Sequence, residues 1–400
     1  MPEISIRGKQ LPESSIRKLV PFADAAKDKG VHVFHLNIGQ PDIKTPAHAI
    51  ERIKNFDFEL IPYGNSAGNL SYRTKLAKYY QSHNLDVDSN NILVTTGGSE
   101  AISFAFKACF NPGDEIIIPE PFYANYLSFA QESDIVIKTI TSTIEDGFKL
   151  PSIDKFKEII TEKTKGIFIC NPSNPTGYLY NKEELQALAQ IVKEYDLYLL
   201  SDEVYNEFVY DGRKHCSVLS LKDIKENVIM IDSVSKHFSA CGVRIGSLVS
   251  HNKRVISTIL KFAMARLCPP MLGQEVAEAA FDSPPEYIQE VYKEYLKRRD
   301  YCIDRLNKME GVYSPMPQGA FYSIVKLPID HCDKFCQWLL ESFSYRKQTI
   351  MLAPATGFYK TEGAGIDQVR IAYVLKTEDL EKALDCLEEA LKVYPGRTNK

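Results

Sequence analysis

The stretch Gly166-Ile167-Phe168-Ile169-Cys170-Asn171-Pro172-Ser173-Asn174-Pro175-Thr176-Gly177 runs into an amphipathic segment, 182–195, and then into Leu197-Tyr198-Leu199-Leu200-Ser201-Asp202-Glu203-Val204-Tyr205. Together these hold one complete structural period. The short Ile-, Phe- and Leu-rich runs have the length of buried strands, and 182–195 has the length and mixed polarity of a helix. Asn181, three residues before Glu184, resembles a capping box with Asn in place of Ser or Thr.

The same alternation extends in both directions. Strands are expected at 92–95, 115–118, 135–140, 166–170, 197–201, 228–232 and 245–250, and helices at 100–110, 125–132, 153–162 and 182–195. Strand–helix alternation predicts an α/β fold whose larger part is a mainly parallel seven-stranded sheet covered by helices. Ligands of such sheets collect at the carboxyl ends of the strands. After Pro284-Pro285 a long helix pattern runs to Lys308, followed by 320–327, a helix near 331–343, strands at 349–353 and 369–374, and a helix at 378–394. At the other end, 14–29 is a helical pattern interrupted by Pro21, 31–36 reads as a strand, and Thr45-Pro46 as a capped helix start. The two ends predict a smaller α+β domain, residues 1–45 and 286–400, beside a large domain, 46–285.

Composition narrows the function class by exclusion. The chain has 400 residues, 44% hydrophobic and 25% charged, so it is a folded globular sequence rather than a disordered one. Its 48 Lys+Arg against 52 Asp+Glu leave a charge of −4, which argues against a nucleic-acid partner. No apolar run has the length of a membrane helix, and neither terminus resembles a signal peptide or a lipidation signal. Nine cysteines without a C-x-x-C pair read as free thiols in a reducing cytoplasm. Cys332 and Cys336 are helix-spaced but lack further ligands, so no metal is expected.

Four motifs carry chemistry. In Val228-Ile229-Met230-Ile231-Asp232-Ser233-Val234-Ser235-Lys236 a lysine stands just beyond an apolar strand, framed by serines and followed by Arg244. A lysine amine can bond an aldehyde cofactor, and the hydroxyls and arginine suit its phosphate. A solvated loop lysine is the plainer alternative. Asp202 ends a buried strand, where an unpaired carboxylate is costly; a protonated ring nitrogen would justify it, as would capping the next turn. Each Asn–Pro pair of the loop 171–175 biases its Asn away from helix and fixes the carboxamide, though such pairs also mark ordinary turns. Thr95-Thr96-Gly97-Gly98-Ser99-Glu100 joins a strand to a helix N-terminus, where backbone N–H groups can hold a phosphate.

In combination and order these motifs resemble the fold-type I, pyridoxal-phosphate-dependent aminotransferases of class I/II, the group that contains aspartate aminotransferases. The resemblance runs from Leu36-Asn37-Ile38-Gly39-Gln40-Pro41-Asp42 to Gln368-Val369-Arg370-Ile371-Ala372-Tyr373. It implies amino transfer between an L-amino acid and a 2-oxo acid, aspartate and 2-oxoglutarate among them, by a ping-pong mechanism. A carbon–sulfur β-lyase on the same fold is the alternative. A regulator lacking catalysis is disfavoured, since such relatives carry a DNA-binding domain ahead of the motifs.

The resemblance implies Lys236 as the Schiff-base lysine and Asp202 as partner of the pyridine nitrogen. Asn174 and Tyr205 would meet the ring oxygen, and Tyr123 would stack on the ring. Gly98, Ser99, Ser233, Ser235 and Arg244 would meet the phosphate, with Tyr63 reaching the other subunit of a homodimer. Arg370, aided by Gly39 and Asn174, would grip the substrate α-carboxylate. Departures from the aspartate-specific pattern are Tyr123 in place of a frequent Trp, Ser99 in place of a Lys, and Gln40 in place of a frequent Glu. For a side-chain carboxylate only Arg7, Arg17 and Arg266 are candidates, by charge alone.

Overall fold

A computed structural model of the protein describes residues 2–56 and 59–398. Its strands are β1 (His32–His35), β2 (Ile92–Thr95), β3 (Glu115–Glu120), β4 (Val136–Thr141), β5 (Thr164–Cys170), β6 (Tyr198–Asp202), β7 (Val228–Ser233), β8 (Gly246–Val249), β9 (Tyr322–Lys326), β10 (Gln348–Met351), β11 (Ala353–Pro354) and β12 (Gln368–Ala372). Strands β2 to β8 form one seven-stranded sheet in the order β2-β8-β7-β6-β5-β3-β4. Pairing is parallel from β4 through β7, and β8 runs antiparallel to both of its neighbours. The sheet is therefore mainly parallel, as the alternation predicts.

Strands covered on both faces need apolar side chains on both, which is why the runs are continuous rather than alternating. Ile117, Ile167, Ile169, Leu199 and Met230 pack into one core, while Ile116, Ile118, Phe168, Leu200, Ile229 and Ile231 pack into another. Successive residues point to opposite faces, so each strand feeds both cores. Burying each such side chain contributes about 1.5–3 kcal/mol.

The register sets Cys170 beside Asp202 and Asp202 beside Ile231. The carboxyl ends of β5, β6 and β7 thus stand side by side, carrying the Asn171–Asn174 loop, Asp202 and the Lys236 segment.

The chain ends meet in a further core. β1 pairs in parallel with β10, and β12 lies between β11 and β9 in an antiparallel sheet. Leu19, Ala23 and Phe34 pack there with Phe335, Leu339, Leu384 and Leu387, and the helix Pro285–Asn307 adds Val291, Tyr295, Ile303 and Leu306.

Several boundaries differ from expectation for local reasons. Pro21 opens the helix Val20–Asp28 rather than interrupting it, because a first-turn residue needs no N–H partner. The Thr45 hydroxyl donates to Ser239 O (2.9 Å), so the helix Ala47–Lys54 starts without a side-chain cap. The helix expected from residue 100 begins at Gly97, since Glu100 Oε2 accepts from Thr96 N (2.8 Å). The Asn181–Glu184 capping box forms in both directions, at 2.8 Å each.

Among the described residues no helix is long and apolar enough to cross a membrane. His331, Cys332 and Asp333 bring one ligand atom each within 4.8 Å of one another. Asp333 is already engaged there by Lys18 and by the Thr356 hydroxyl (2.6 Å).

Candidate active site

The lysine sits on the four-residue helix Val234–His237, which directly continues β7. Its Nζ donates to Gly39 O (2.8 Å) and lies 3.7 Å from Cys241 Sγ. The amine is therefore held by a neutral carbonyl and a thiol, and no carboxylate pairs with it among the described residues. Gly39 is required at this spot: a Cβ there would fall 1.7 Å from the Tyr322 hydroxyl.

Asp202, at the end of β6, is buried. Its Oδ2 accepts from Tyr126 OH (2.7 Å), and Val204 N reaches Oδ1 only at 3.4 Å, so turn capping is its weaker engagement. Burial pushes its carboxyl up to about 6, with the Tyr126 hydrogen bond, the Val204 amide and the Lys236 charge acting the other way. An added cation at this place would restore the ionised form. Glu203, the next residue, belongs to the other face of the strand. Its Oε1 accepts from Val218 N (2.9 Å), and burial raises it to about 8.

Arg370 on β12 is completely enclosed. Nη1 donates to Asn174 Oδ1 (2.9 Å), Nη2 donates to Asn37 O, and Nε has no partner. The guanidinium lies over the rings of Tyr322 (4.6 Å) and Phe358 (4.8 Å). Burial lowers its pKa, and no carboxylate neutralises it among the described residues. A buried cation with an idle donor is a receptor for an anion. Asn174 Nδ2 points on to Tyr205 OH (3.4 Å), which shares a hydrogen bond with Tyr322 OH (3.0 Å).

At the other end of the site, Gly98 and exposed Ser99 stand in the first turn of the helix Gly97–Cys109. Gly97, at φ +76°, is pressed against Arg244: a Cβ would lie 2.4 Å from its Nη2. Arg244 is exposed, in the left-handed region (φ 58°), with one contact to Cys241 O (3.2 Å). The two serines differ from the equal roles expected of them. Ser233 Oγ donates to Ile245 O (2.9 Å) and caps the Lys236 helix by accepting from Ser235 N (3.2 Å). Ser235 Oγ, 2.8 Å from it, is the hydroxyl able to turn toward an anion.

Tyr123 stands edge-on to Tyr126 (5.5 Å, 89°) and accepts from Asn125 Nδ2 (2.9 Å). Tyr63 is set apart. It is 80% exposed and lines a surface depression with Ile61, Thr96, Pro269 and Met271.

Three participants carry no role in the motif reading. Tyr126 lies in the first turn of the helix Asn125–Glu132, three residues after Tyr123, and that proximity was the available signal. Tyr322 and Asn37 carry no local signal, since their places depend on the β9–β12 pairing and on the chain crossing beneath Arg370.

The sequence profile described as aminotransferase class I and II matches residues 31–387. An aspartate aminotransferase of Pyrococcus abyssi is 33% identical over 95% of this chain and 96% of its own. An aromatic-amino-acid aminotransferase of Thermococcus litoralis is 31% identical over 97% of this chain and 98% of its own. The solved structure of an alanine aminotransferase from Pyrococcus furiosus superposes with a TM-score of 0.89 at 31% identity, over 98% of this chain and all of that one. With the fold, the motif order and these matches in agreement, the chain belongs to the class I and II aminotransferases.

Proposed function

We propose that the protein moves an amino group between an L-amino acid and a 2-oxo acid in two half-reactions, using pyridoxal phosphate bonded at Lys236. The observation that carries this reading is a set of three groups joined through shared neighbours: Lys236 donates to Gly39 O, Gly39 abuts the Tyr322 whose ring lies under Arg370, and Asp202 pairs beside Cys170 at the head of the loop whose Asn174 accepts from Arg370. These are an amine free of carboxylates, a buried acid lacking a cation, and a buried cation lacking an acid. Each is unfavourable alone, and each matches one part of a phosphorylated pyridine aldehyde together with an α-amino acid.

When bound, the cofactor supplies an electron sink for the bond broken at the substrate Cα. Asp202 holds the ring nitrogen protonated, and Tyr126 holds Asp202 in place. Asn174 and Tyr205 offer donors to the ring oxygen, and Tyr123 covers the ring. Gly98, Ser99, Ser235 and Arg244 hold the phosphate, with Ser233 fixing the turn beneath it. Arg370 grips the α-carboxylate in a planar two-pronged contact with help from Asn174 and Gly39. This would fix the carboxylate and leave the Cα proton toward Lys236, whose Nζ, once displaced from the cofactor by the substrate amine, would be the base that holds and moves that proton.

The homodimer belongs to the same proposal. Leu60 (74%), Ile61 (52%) and Tyr63 (80%) leave apolar surface exposed near Thr96, at the phosphate end, where a second subunit would cover it. Two further readings go with it. The large domain spans 46–285 and the small one 1–45 with 286–400, supported by the core shared between the chain ends. The compartment is the cytoplasm, supported by nine unpaired cysteines.

The test is the visible spectrum of the cofactor-loaded protein during addition of amino acids and then 2-oxo acids. Amino acids should bleach the absorbance and 2-oxo acids restore it. Bleaching that no oxo acid reverses, with release of a thiol, would replace transfer by lyase chemistry.

A further inference from the structure

A thiol touches the Lys236 amine. Cys241 Sγ accepts from Lys236 Nζ at 3.7 Å and donates its own proton to Ser235 O (3.1 Å). The sulfur therefore turns its hydrogen to the backbone and its lone pairs to the amine. The contact bridges the helix Val234–His237 and the single turn Cys241–Val243, so both partners are carried on short, adjoining pieces of backbone. Beyond that turn Arg244 Nη1 donates to Cys241 O (3.2 Å). The thiol is thus half-buried between two basic side chains.

Thiols in electropositive, partly open surroundings are the ones oxidants attack. Most other cysteines of the chain are placed differently. Cys170, Cys302, Cys332, Cys336 and Cys386 are buried. Burial pushes Cys302 up to about 12, and Cys332 and Cys386 up to about 11. Cys216 is half-buried too, but its neighbour is a hydroxyl, Ser220 Oγ (3.5 Å), not an amine.

We propose that hydrogen peroxide joins Cys241 to Lys236 by an S–N bond whenever the amine is not bonded to the cofactor. First the sulfur attacks peroxide. The O–O bond breaks, an S–O bond forms, and the thiol proton leaves with the released hydroxide as water. Sulfur is oxidised by two electrons and peroxide is reduced. Next the lone pair of the free amine attacks the sulfenic sulfur. The S–N bond forms, the S–O bond breaks, and the hydroxide takes an amine proton and leaves as a second water. The flexible four-carbon stem of the lysine lets Nζ close the remaining gap. Two equivalents of an added thiol restore both side chains and leave as their own disulfide. Protection by the cofactor rests on the reading of Lys236 given above; the cross-link itself does not.

Peptide mapping tests this. Cofactor-loaded protein is compared with the same protein after hydroxylamine has drawn the aldehyde off Lys236 and been dialysed away. Both receive hydrogen peroxide, and both are digested with trypsin without a reductant. Trypsin does not cut after a lysine whose nitrogen is bonded to sulfur. The stripped protein should therefore yield residues 226–244 as one peptide, lighter by two hydrogens than the uncut, unoxidised form. That peptide should be lost on adding dithiothreitol, absent from Cys241→Ser and suppressed in the loaded protein. Cys241 remaining a free thiol in the stripped wild type would overturn the proposal. So would Cys241 carrying only added oxygen, with cleavage after Lys236 intact. If loaded and stripped protein cross-link equally, the cofactor reading of Lys236 falls and the cross-link stands.

Discussion

The two ends of the site are built in opposite ways. Around Arg370 the groups interlock within one chain: Asn37, Asn174, Tyr205, Tyr322 and Phe358 close on a guanidinium that is 2% exposed. Around Gly98 the groups stand apart. Ser99 and Arg244 are exposed, and Tyr63 faces solvent. The Arg370 end is interlocked by contacts within the chain, whereas the Gly98 end leaves Ser99, Arg244 and Tyr63 open to solvent. Prepaid organisation favours specificity, and open organisation permits the cofactor to enter.

The sharpest way to break this contrast is Arg370→Leu. It should lower kcat/KM for every amino acid by more than about 100-fold, because a charge-assisted two-pronged contact is lost from a buried site. Its melting temperature should hold or rise, since a buried cation lacking an acid is removed. A large loss of stability with substrate affinity intact would reverse the roles given to the two ends.

Asp202→Asn comes next, read on the cofactor-free protein. The carboxyl is raised from 3.8 to about 6 in the folded chain, so the fold binds its proton more tightly than the unfolded chain does. Stability is then greatest below about pH 4 and falls as the pH rises toward 6. A shift of about two units corresponds to about 3 kcal/mol at full effect. Asparagine should restore up to that amount at pH 8 and nothing at pH 3.5, while activity is lost. Denaturant midpoints at the two pH values measure it, and equal gains at both would contradict the burial argument.

Smaller effects test one group at each end. Arg244→Gln should weaken phosphate and cofactor binding by about tenfold, one charge-assisted contact at an exposed position, with no change in the melting temperature of the empty protein. Equilibrium dialysis of the cofactor checks the first part. Smallest is Tyr322→Phe, which keeps the ring beneath Arg370 but deletes the hydrogen bond to Tyr205, worth about 1 kcal/mol. It should alter the pH dependence of the cofactor absorbance and leave the KM for amino acids unchanged.

The same contrast governs what was legible in the sequence. The strands were readable because apolar runs in a doubly covered sheet are continuous, and Lys236, Asp202 and Asn174 because they follow such runs directly. Gly98 could be placed because a strand–Gly–helix junction is a local pattern, and Arg244 because it follows Lys236 at short range in the same motif. The carboxylate end was only half visible. Arg370 had a motif, but Tyr322 reaches it through the pairing of β9 with β12, and Asn37 through a crossing of distant segments. Ser233 looked equivalent to Ser235 until the Ile245 carbonyl claimed its hydroxyl. The helix start at Gly97 depended on Glu100 reaching back to Thr96, a contact that spacing alone left unspecified.

The central claim is that Lys236 is the residue bonded to the cofactor. Borohydride reduction of the cofactor-loaded protein, followed by peptide mass mapping, tests it most directly. The pyridoxyl phosphate mass should appear on the peptide containing Lys236 and nowhere else, and should be absent from Lys236→Ala. Label on another lysine, or no label on a protein that still transfers amino groups, would contradict the account.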